Sequence, residues 1–152
     1  MITNIDNLEK YLSMYYQKTV LTNGCFDVFH IGHLRTLQRV ISYGNMGYAV
    51  IVAINTDESV RKLKGNNRPI NNFKNRAEIV DNIKGINYII PIEEVSVLSI
   101  IKRIKPNILI KGGTTDYIVG KDFVESYGGQ VINSEEIKGF SSTNIIERMN
   151  DE

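Results

Sequence analysis

Residues 48–54 read Tyr48-Ala49-Val50-Ile51-Val52-Ala53-Ile54, an unbroken apolar run. A strand that is apolar on both faces needs cover on both faces. A parallel sheet with helices above and below supplies it. Further short apolar stretches repeat the demand: residues 19–22, Tyr88-Ile89-Ile90-Pro91-Ile92, and Asn107-Ile108-Leu109-Ile110-Lys111, with Tyr127-Gly128-Gly129-Gln130-Val131-Ile132 leading into a last strand. Between them the apolar period changes to that of a helix. Leu34, Leu37, Val40 and Ile41 share one face of a helix that ends near Gly44. A second helix is expected over 71–84 and a third over 95–104, where Val97, Leu98, Ile101 and Ile104 are apolar and Pro106 marks the stop. Ile5, Leu8, Leu12 and Tyr15 predict an N-terminal helix over 4–17, capped by Asp6 or Asn7 and packed on the rest. The expected fold class is therefore α/β: one Rossmann-like, three-layer domain over 1–152, with a five-stranded, mostly parallel sheet whose first strand is central.

A chain of 152 residues can bury a core of this kind. Its formal net charge of +1 gives no field for a polyanion, so nucleic acid is not an expected partner. The single cysteine makes no internal disulfide, which fits a reducing compartment. The first residues lack a basic segment followed by an apolar one, and no apolar run approaches a membrane span. A soluble, cytoplasmic protein without membrane partners is expected. There is no internal repeat, low-complexity tract or linker.

The chemistry concentrates where the first strand ends. Val20-Leu21-Thr22-Asn23-Gly24-Cys25-Phe26-Asp27-Val28-Phe29-His30-Ile31-Gly32-His33 reads as strand, glycine turn and helix opening. The chain has two histidines, and both lie in this stretch. Three residues apart on a helix, they would share one face. Gly32 lets a ligand approach the backbone, and free N–H groups at the helix start favour an anion. The ensemble reads as a phosphate site with two imidazole donors. Ordinary helix histidines are the plainer alternative. A zinc pair would need a third ligand, and no second Cys/His cluster exists.

More polar segments follow later strands. Asn55-Thr56-Asp57-Glu58 follows the second strand, where open parallel sheets bind ligands. Residues 59–70, with Arg61, Lys62, Lys64, Gly65 and Arg68, read as a basic loop. It is either a solvated surface or a mobile segment closing over a triphosphate. Lys111-Gly112-Gly113 ends another strand. Ser141, Ser142 and Thr143 open a final helix carrying Ile145, Ile146 and Met149, with Thr143 expected to act as a cap and as an anion ligand.

Thr22-Asn23-Gly24-Cys25-Phe26-Asp27-Val28-Phe29-His30-Ile31-Gly32-His33-Leu34 closely resembles the signature of the cytidylyltransferase-like nucleotidyltransferases. Within them the chain is most similar to the adenylyltransferase domain that makes ADP-heptose from D-glycero-β-D-manno-heptose 1-phosphate. Arg61-Lys62-Leu63-Lys64-Gly65 with Arg68-Pro69, Asn75-Arg76-Ala77-Glu78-Ile79-Val80, Lys111-Gly112-Gly113, Val119-Gly120 and Gly139-Phe140-Ser141-Ser142-Thr143-Asn144-Ile145-Ile146 extend the likeness from about Leu8 to Met149. One departure stands out: Thr114-Thr115-Asp116-Tyr117 occupies the place where the family commonly has an acid directly after the two glycines. A His-Ile-Gly-His segment also suits class I aminoacyl-tRNA synthetases, but those are far longer and carry a lysine-rich second signature absent here.

The resemblance implies an enzyme that joins the AMP moiety of ATP to a sugar 1-phosphate and releases pyrophosphate. It implies His30, His33, Lys62 and Arg76 as catalytic, with Arg76 a cation on the phosphate side. Asn23, Gly24, Cys25, Phe26, Gly32, Lys111, Gly112, Ser141, Ser142 and Thr143 would join the histidines in binding nucleotide. Asp27, Asn55, Asp57, Lys64 and Arg68 would bind the acceptor. No protein-held metal is expected; Mg2+ would arrive with the triphosphate. A separate sugar kinase and phosphatase would complete the pathway, and a homodimer or larger homo-oligomer is expected. A cytidylyltransferase acting on glycerol 3-phosphate is the enzymatic alternative, and a silent nucleotide-binding module is the alternative of another class. No general base is required, because a phosphate monoester already carries its second charge above pH ~6. The task is to hold two anions in line and spread developing charge, which suits imidazoles, lysines, hydroxyls and helix N-termini.

Overall fold

The structure is a computed structural model that describes residues 1–16, 18–113, 116–134 and 141–151. Five strands, β1 (Thr19–Gly24), β2 (Ala49–Asn55), β3 (Tyr88–Ile92), β4 (Ile108–Gly112) and β5 (Gln130–Ser134), form one sheet in the order β3-β2-β1-β4-β5. All four pairings are parallel, so the sheet is wholly rather than mostly parallel. β1 is central, as expected. Every residue of β2 is buried, which is what its apolar run requires.

The two faces sort by strand alternation. Leu21, Ile51, Ala53, Ile90 and Leu109 pack with Leu8 of α1 (Ile5–Tyr15), with Ile100 and Ile101 of α5 (Leu98–Ile104), and with Val124 of α6 (Lys121–Ser126). On the other face, Val52, Ile54 and Ile89 meet Leu37 of α2 (Ile31–Gly44) together with Ala77 and Val80 of α4 (Phe73–Asp81). Val20, Val50, Ile108 and Ile110 complete that face around Val40 of α2.

Several boundaries differ from the sequence reading for identifiable reasons. α1 is capped by Asn4, whose side chain accepts from the Asn7 amide at 2.9 Å; Asp6 instead pairs with Arg103 at 2.7 Å. Gln17 lies outside the described residues. α4 begins at Phe73 because Asn72 caps it through the Asn75 amide. α5 begins only at Leu98. α6 is an additional helix that the periodicity did not reveal, one of six residues.

The largest correction concerns the basic stretch expected as a loop. It is helical from Asp57 to Lys64 as α3. Thr56 caps this helix; Asp57 and Glu58 sit in its first turn, and Arg61, Lys62 and Lys64 in its last. That charge order matches the helix dipole at both ends. Gly65, at φ 96°, then ends the helix. α7 (Ser142–Asn150) closes the chain, and its N-cap is Ser141, which accepts from the Asn144 amide at 3.0 Å. Thr143 is therefore not the cap.

Candidate active site

The C-terminal ends of the strands open onto a cleft of about 250 Å³. β1 contributes Asn23 and Gly24, and the turn after it contributes Phe26 and His30. Gly32, His33 and Thr36 come from the first turns of α2, Lys64 from the end of α3, and Lys111, Gly112 and Gly113 from the end of β4. Ser141, Ser142 and Thr143 close it from α7. Gly24 and Gly112 thus face one cleft from neighbouring strands. Thr36 was not singled out from sequence, and Gly113 was noted as part of Lys111-Gly112-Gly113 without a binding role of its own. Thr36 was legible in principle, since it stands one turn after Gly32, and its hydroxyl donates to the Gly32 carbonyl at 3.2 Å. Gly112 has a packing reason for lacking a side chain: a Cβ there would overlap the Thr36 side chain. Gly113, at φ 90°, makes the turn.

The histidines are arranged differently from two residues on one helix face. His30 is the N-cap of α2, and its Nδ1 accepts from the Gly32 amide at 3.0 Å. His33 reaches back, and its Nδ1 accepts from the His30 amide at 3.3 Å. The rings stack with centroids 3.9 Å apart, while Phe26 and Phe29 lie 5.2 and 5.4 Å from His33. Those two amide groups are therefore occupied by imidazole and not free for an anion. Burial, then the charges of His30 and Lys64, push His33 down to about 3. Burial and Lys64 also lower His30. Both rings are neutral at pH 7. With Nδ1 accepting, each carries its proton on Nε2. The cleft is offered two neutral N–H donors.

The turn that carries them is strained. Phe26 and Val28 have φ of 51° and 46°, a region costly for a β-branched residue. Asp27, fully buried, holds the turn in place. Its carboxylate accepts from the Val28 amide at 3.1 Å, from the Ile70 and Asn71 amides at 2.9 Å, and from Arg68 Nε at 3.0 Å. Burial alone would raise its pKa, but these donors together hold it below the usual carboxylate value. The Ser142 hydroxyl donates to the Asp27 carbonyl, fastening α7 to the same turn.

Arg76 is a second staple. It is 0% exposed, so it does not lie on the phosphate side of the cleft and makes no surface salt bridge with Glu78 or Asp81. Its Nε donates to the Asn71 carbonyl at 2.8 Å, and its Nη1 to the Cys25 and Asn55 carbonyls at 2.6 and 2.8 Å. Its Nη2 meets Asp57 at 2.8 Å. Asp27, Asp57 and Arg76 are bound to protein partners, Arg68 is tied to Asp27 through Nε while its buried Nη2 has no partner among the described residues, and none of the four lines this cleft, where Arg76 was expected as a catalytic cation and the other three as acceptor ligands.

Lys62 also points away, with its side chain 55% exposed and paired with Glu58 at 3.0 Å. Lys64 lines the cleft. Lys62→Ala is expected to leave nucleotide use near wild type, because its ammonium pairs with Glu58 in solvent and does not line the cleft. Lys64→Ala is expected to raise the nucleotide KM several-fold, with the effect shrinking as salt rises. Steady-state kinetics at two ionic strengths checks both, and equal effects from the two variants would contradict this placement.

A second cleft of about 470 Å³ adjoins the first. It shares Asn23, Gly24, Lys64 and Lys111 with it and adds Cys25, Asn55, Ser96 and a mostly apolar lining of Leu63, Val95, Val97, Tyr117, Ile118 and Val119. Asn55 is held by its own bonds: its amide donates to Ser59 Oγ at 2.9 Å, and its Oδ1 accepts from Cys25 Sγ at 3.7 Å. Of its lining, Val95, Ser96, Val97 and Ile118 carried no motif, although their position beyond strand ends was a usable signal. Thr114, Thr115, Gly139 and Phe140 lie outside the described residues. Among the described residues no helix is long and apolar enough to cross a membrane, and no group of three or more His, Cys, Asp or Glu side chains is placed to hold a metal ion.

Comparison with known proteins follows the same lines. The cytidylyltransferase-like family matches residues 21–148. The bifunctional protein HldE of Geobacter metallireducens is 43% identical over 135 residues, spanning 88% of this chain and 27% of that protein. HldE of Syntrophotalea carbinolica is 42% identical over 134 residues, again 27% of its length. The chain thus spans about a quarter of these relatives. A crystal structure of the lipopolysaccharide core biosynthesis protein from Thermoplasma volcanium aligns with a TM-score of 0.64 at 18% identity, covering 80% of this chain and 98% of that one. That structure shares the fold.

Proposed function

From the premise that this chain belongs to the cytidylyltransferase-like family and is a nucleotidyltransferase, we propose that it transfers AMP from ATP to a sugar 1-phosphate and releases pyrophosphate. The acceptor we favour is D-glycero-β-D-manno-heptose 1-phosphate, giving ADP-heptose. One observation carries the reading: two clefts share a wall bearing Lys64 and Lys111. A transferase must bring two anionic substrates together at one phosphorus, and a cationic wall between two cavities is a place for that meeting.

In this reading the triphosphate lies in the histidine cleft. A phosphate oxygen of the acceptor forms a bond to the α-phosphorus as the bond to pyrophosphate breaks. The acceptor is a dianion above pH ~6, so no residue has to remove a proton. The Nε2–H groups of His30 and His33 donate to oxygens on which charge builds. The α7 N-terminus, with Thr143 at its opening, faces the departing pyrophosphate. ATP enters as its magnesium complex, with the ion held by phosphate oxygens and water. The mostly apolar second cleft suits the carbon face of a pyranose better than glycerol 3-phosphate.

Pyrophosphate release, measured with each of four nucleoside triphosphates against a panel of sugar and polyol phosphates, tests the reading. ATP with an aldose 1-phosphate is expected to give the highest kcat/KM. CTP with glycerol 3-phosphate giving the highest value would replace it with cytidylyl transfer.

A further inference from the structure

We infer that Lys111 is the anchor for the acceptor's phosphate, holding it at the wall between the clefts, while Lys64 serves the nucleotide's phosphates, the reverse of the roles that the family resemblance implied for these two lysines. The inference rests on the nucleotidyl-transfer reading above and assigns the two shared cations to different substrates.

The two lysines differ in setting. Lys64 is exposed at the end of α3, and its charge acts on His30 and His33 and also on Lys111. Lys111 is half-buried near the end of β4, a strand held on both sides by β1 and β5. Its ammonium donates to the Asn23 carbonyl at 3.3 Å and is close enough to Cys25 to interact electrostatically. Cys25 lines the second cleft and not the first. Lys111 therefore leans toward the acceptor side and Lys64 toward the histidines.

The charge balance points the same way. An ammonium has three N–H donors, and among the described residues Lys111 has one hydrogen-bond acceptor, the neutral Asn23 carbonyl. Among the described residues no carboxylate pairs with it. Burial lowers its pKa, as expected for a cation removed from water without a counter-anion. An incoming phosphate dianion supplies that missing charge and the missing acceptors. As the acceptor oxygen bonds to the α-phosphorus and the pyrophosphate bond breaks, Lys111 stays protonated and transfers nothing. Its part is to offset the repulsion between two anions drawn together.

Binding without turnover separates this inference from the substrate reading. Calorimetry titrates inorganic phosphate into protein saturated with α,β-methylene-ATP, which fills the triphosphate site and cannot be cleaved at the α-phosphorus. Wild-type protein is expected to bind phosphate. Lys111→Met is expected to weaken that binding by about 10–100-fold, the scale of a charged hydrogen bond. Affinity for the ATP analogue should change by less than about threefold. Lys64→Met should show the opposite pattern. Lys111→Gln replaces the methionine variant if the latter lacks the wild-type circular dichroism spectrum. Unchanged phosphate affinity on losing Lys111, equal weakening of both ligands, or no phosphate binding to the wild-type complex would each overturn the assignment. A panel that selected CTP would call for the same titration with α,β-methylene-CTP, and a panel that selected a polyol phosphate would revise the acceptor alone, so failure of the substrate reading is told apart from failure of this assignment.

Discussion

His33→Asn is expected to lower the rate of pyrophosphate formation by about 10²–10³-fold, the cost of losing one preorganised donor to developing charge. Asparagine is chosen because its Oδ1 can replace the ring Nδ1. That atom accepts from the His30 amide at 3.3 Å and helps to close the start of α2. The variant thus keeps the cap and removes the Nε2–H. His33→Gln does the reverse: its terminal amide reaches toward the position of Nε2 and can donate, while the cap is lost at about 0.5–2 kcal/mol. Melting temperature and kcat therefore move in opposite order across the pair. The asparagine variant should be nearly as stable as wild type and slow, and the glutamine variant less stable and faster. Because the ring is already neutral far below pH 7, the rate loss in His33→Asn should be the same at pH 7 and pH 8. A fully active asparagine variant would reduce His33 to a helix cap.

The sheet was legible because its signal is local and strong. A strand covered on both faces must be apolar throughout, and the run ending at Ile54 could hardly be anything else. The histidine cleft was legible because His30, Gly32 and His33 lie within four residues, Gly112 comes at the end of the apolar β4, and Ser142 opens a helix with apolar residues at Ile145, Ile146 and Met149. The polar residues between were harder to read. Asp27, Arg68, Asp57 and Arg76 look in the sequence like groups awaiting ligands, because charge type and motif position cannot show whether a partner lies elsewhere in the fold. Asp27 and Arg68 pair with each other, as do Asp57 and Arg76, and backbone atoms brought near by the parallel crossover complete the set: Arg76 meets the Cys25 carbonyl across 51 positions of chain, and Asp27 meets the Asn71 amide across 44. Carbonyl and amide acceptors and donors carry no residue signature. The same blindness hid the roles of the histidine Nδ1 atoms, which are spent on amide groups within three residues. The helical form of α3 was masked by its basic composition, although Thr56, Asp57 and Glu58 at its start and the lysines at its end follow ordinary capping and dipole rules.

Arg76→Lys is expected to cost about 3–5 kcal/mol of stability, although it keeps the positive charge. The guanidinium binds the Asn71, Cys25 and Asn55 carbonyls and the Asp57 carboxylate at once. An ammonium on a flexible stem has three donors and lacks the planar fork needed to span those directions. The atoms left without donors are buried carbonyls, each costing about 1–3 kcal/mol when unsatisfied. Asp57 is cheaper to abandon, because its side chain is 33% exposed and water can reach it. Typical total stability is only about 5–15 kcal/mol, so a loss of this size shifts the urea midpoint far down. The kinetic consequence separates a staple from a ligand. A cation touching the triphosphate would, when changed to lysine, alter the nucleotide KM and leave the unfolding curve nearly in place. A staple reverses this. The Cys25 and Asn55 carbonyls end the two central strands, and the Asn71 carbonyl lies beside the amide that holds Asp27, so losing their common donor loosens the histidine turn and the loop after α3 together. At low temperature, where the variant stays folded, kcat should fall while the KM for ATP changes little. A variant with an unshifted urea midpoint and a raised KM would return Arg76 to the phosphate side.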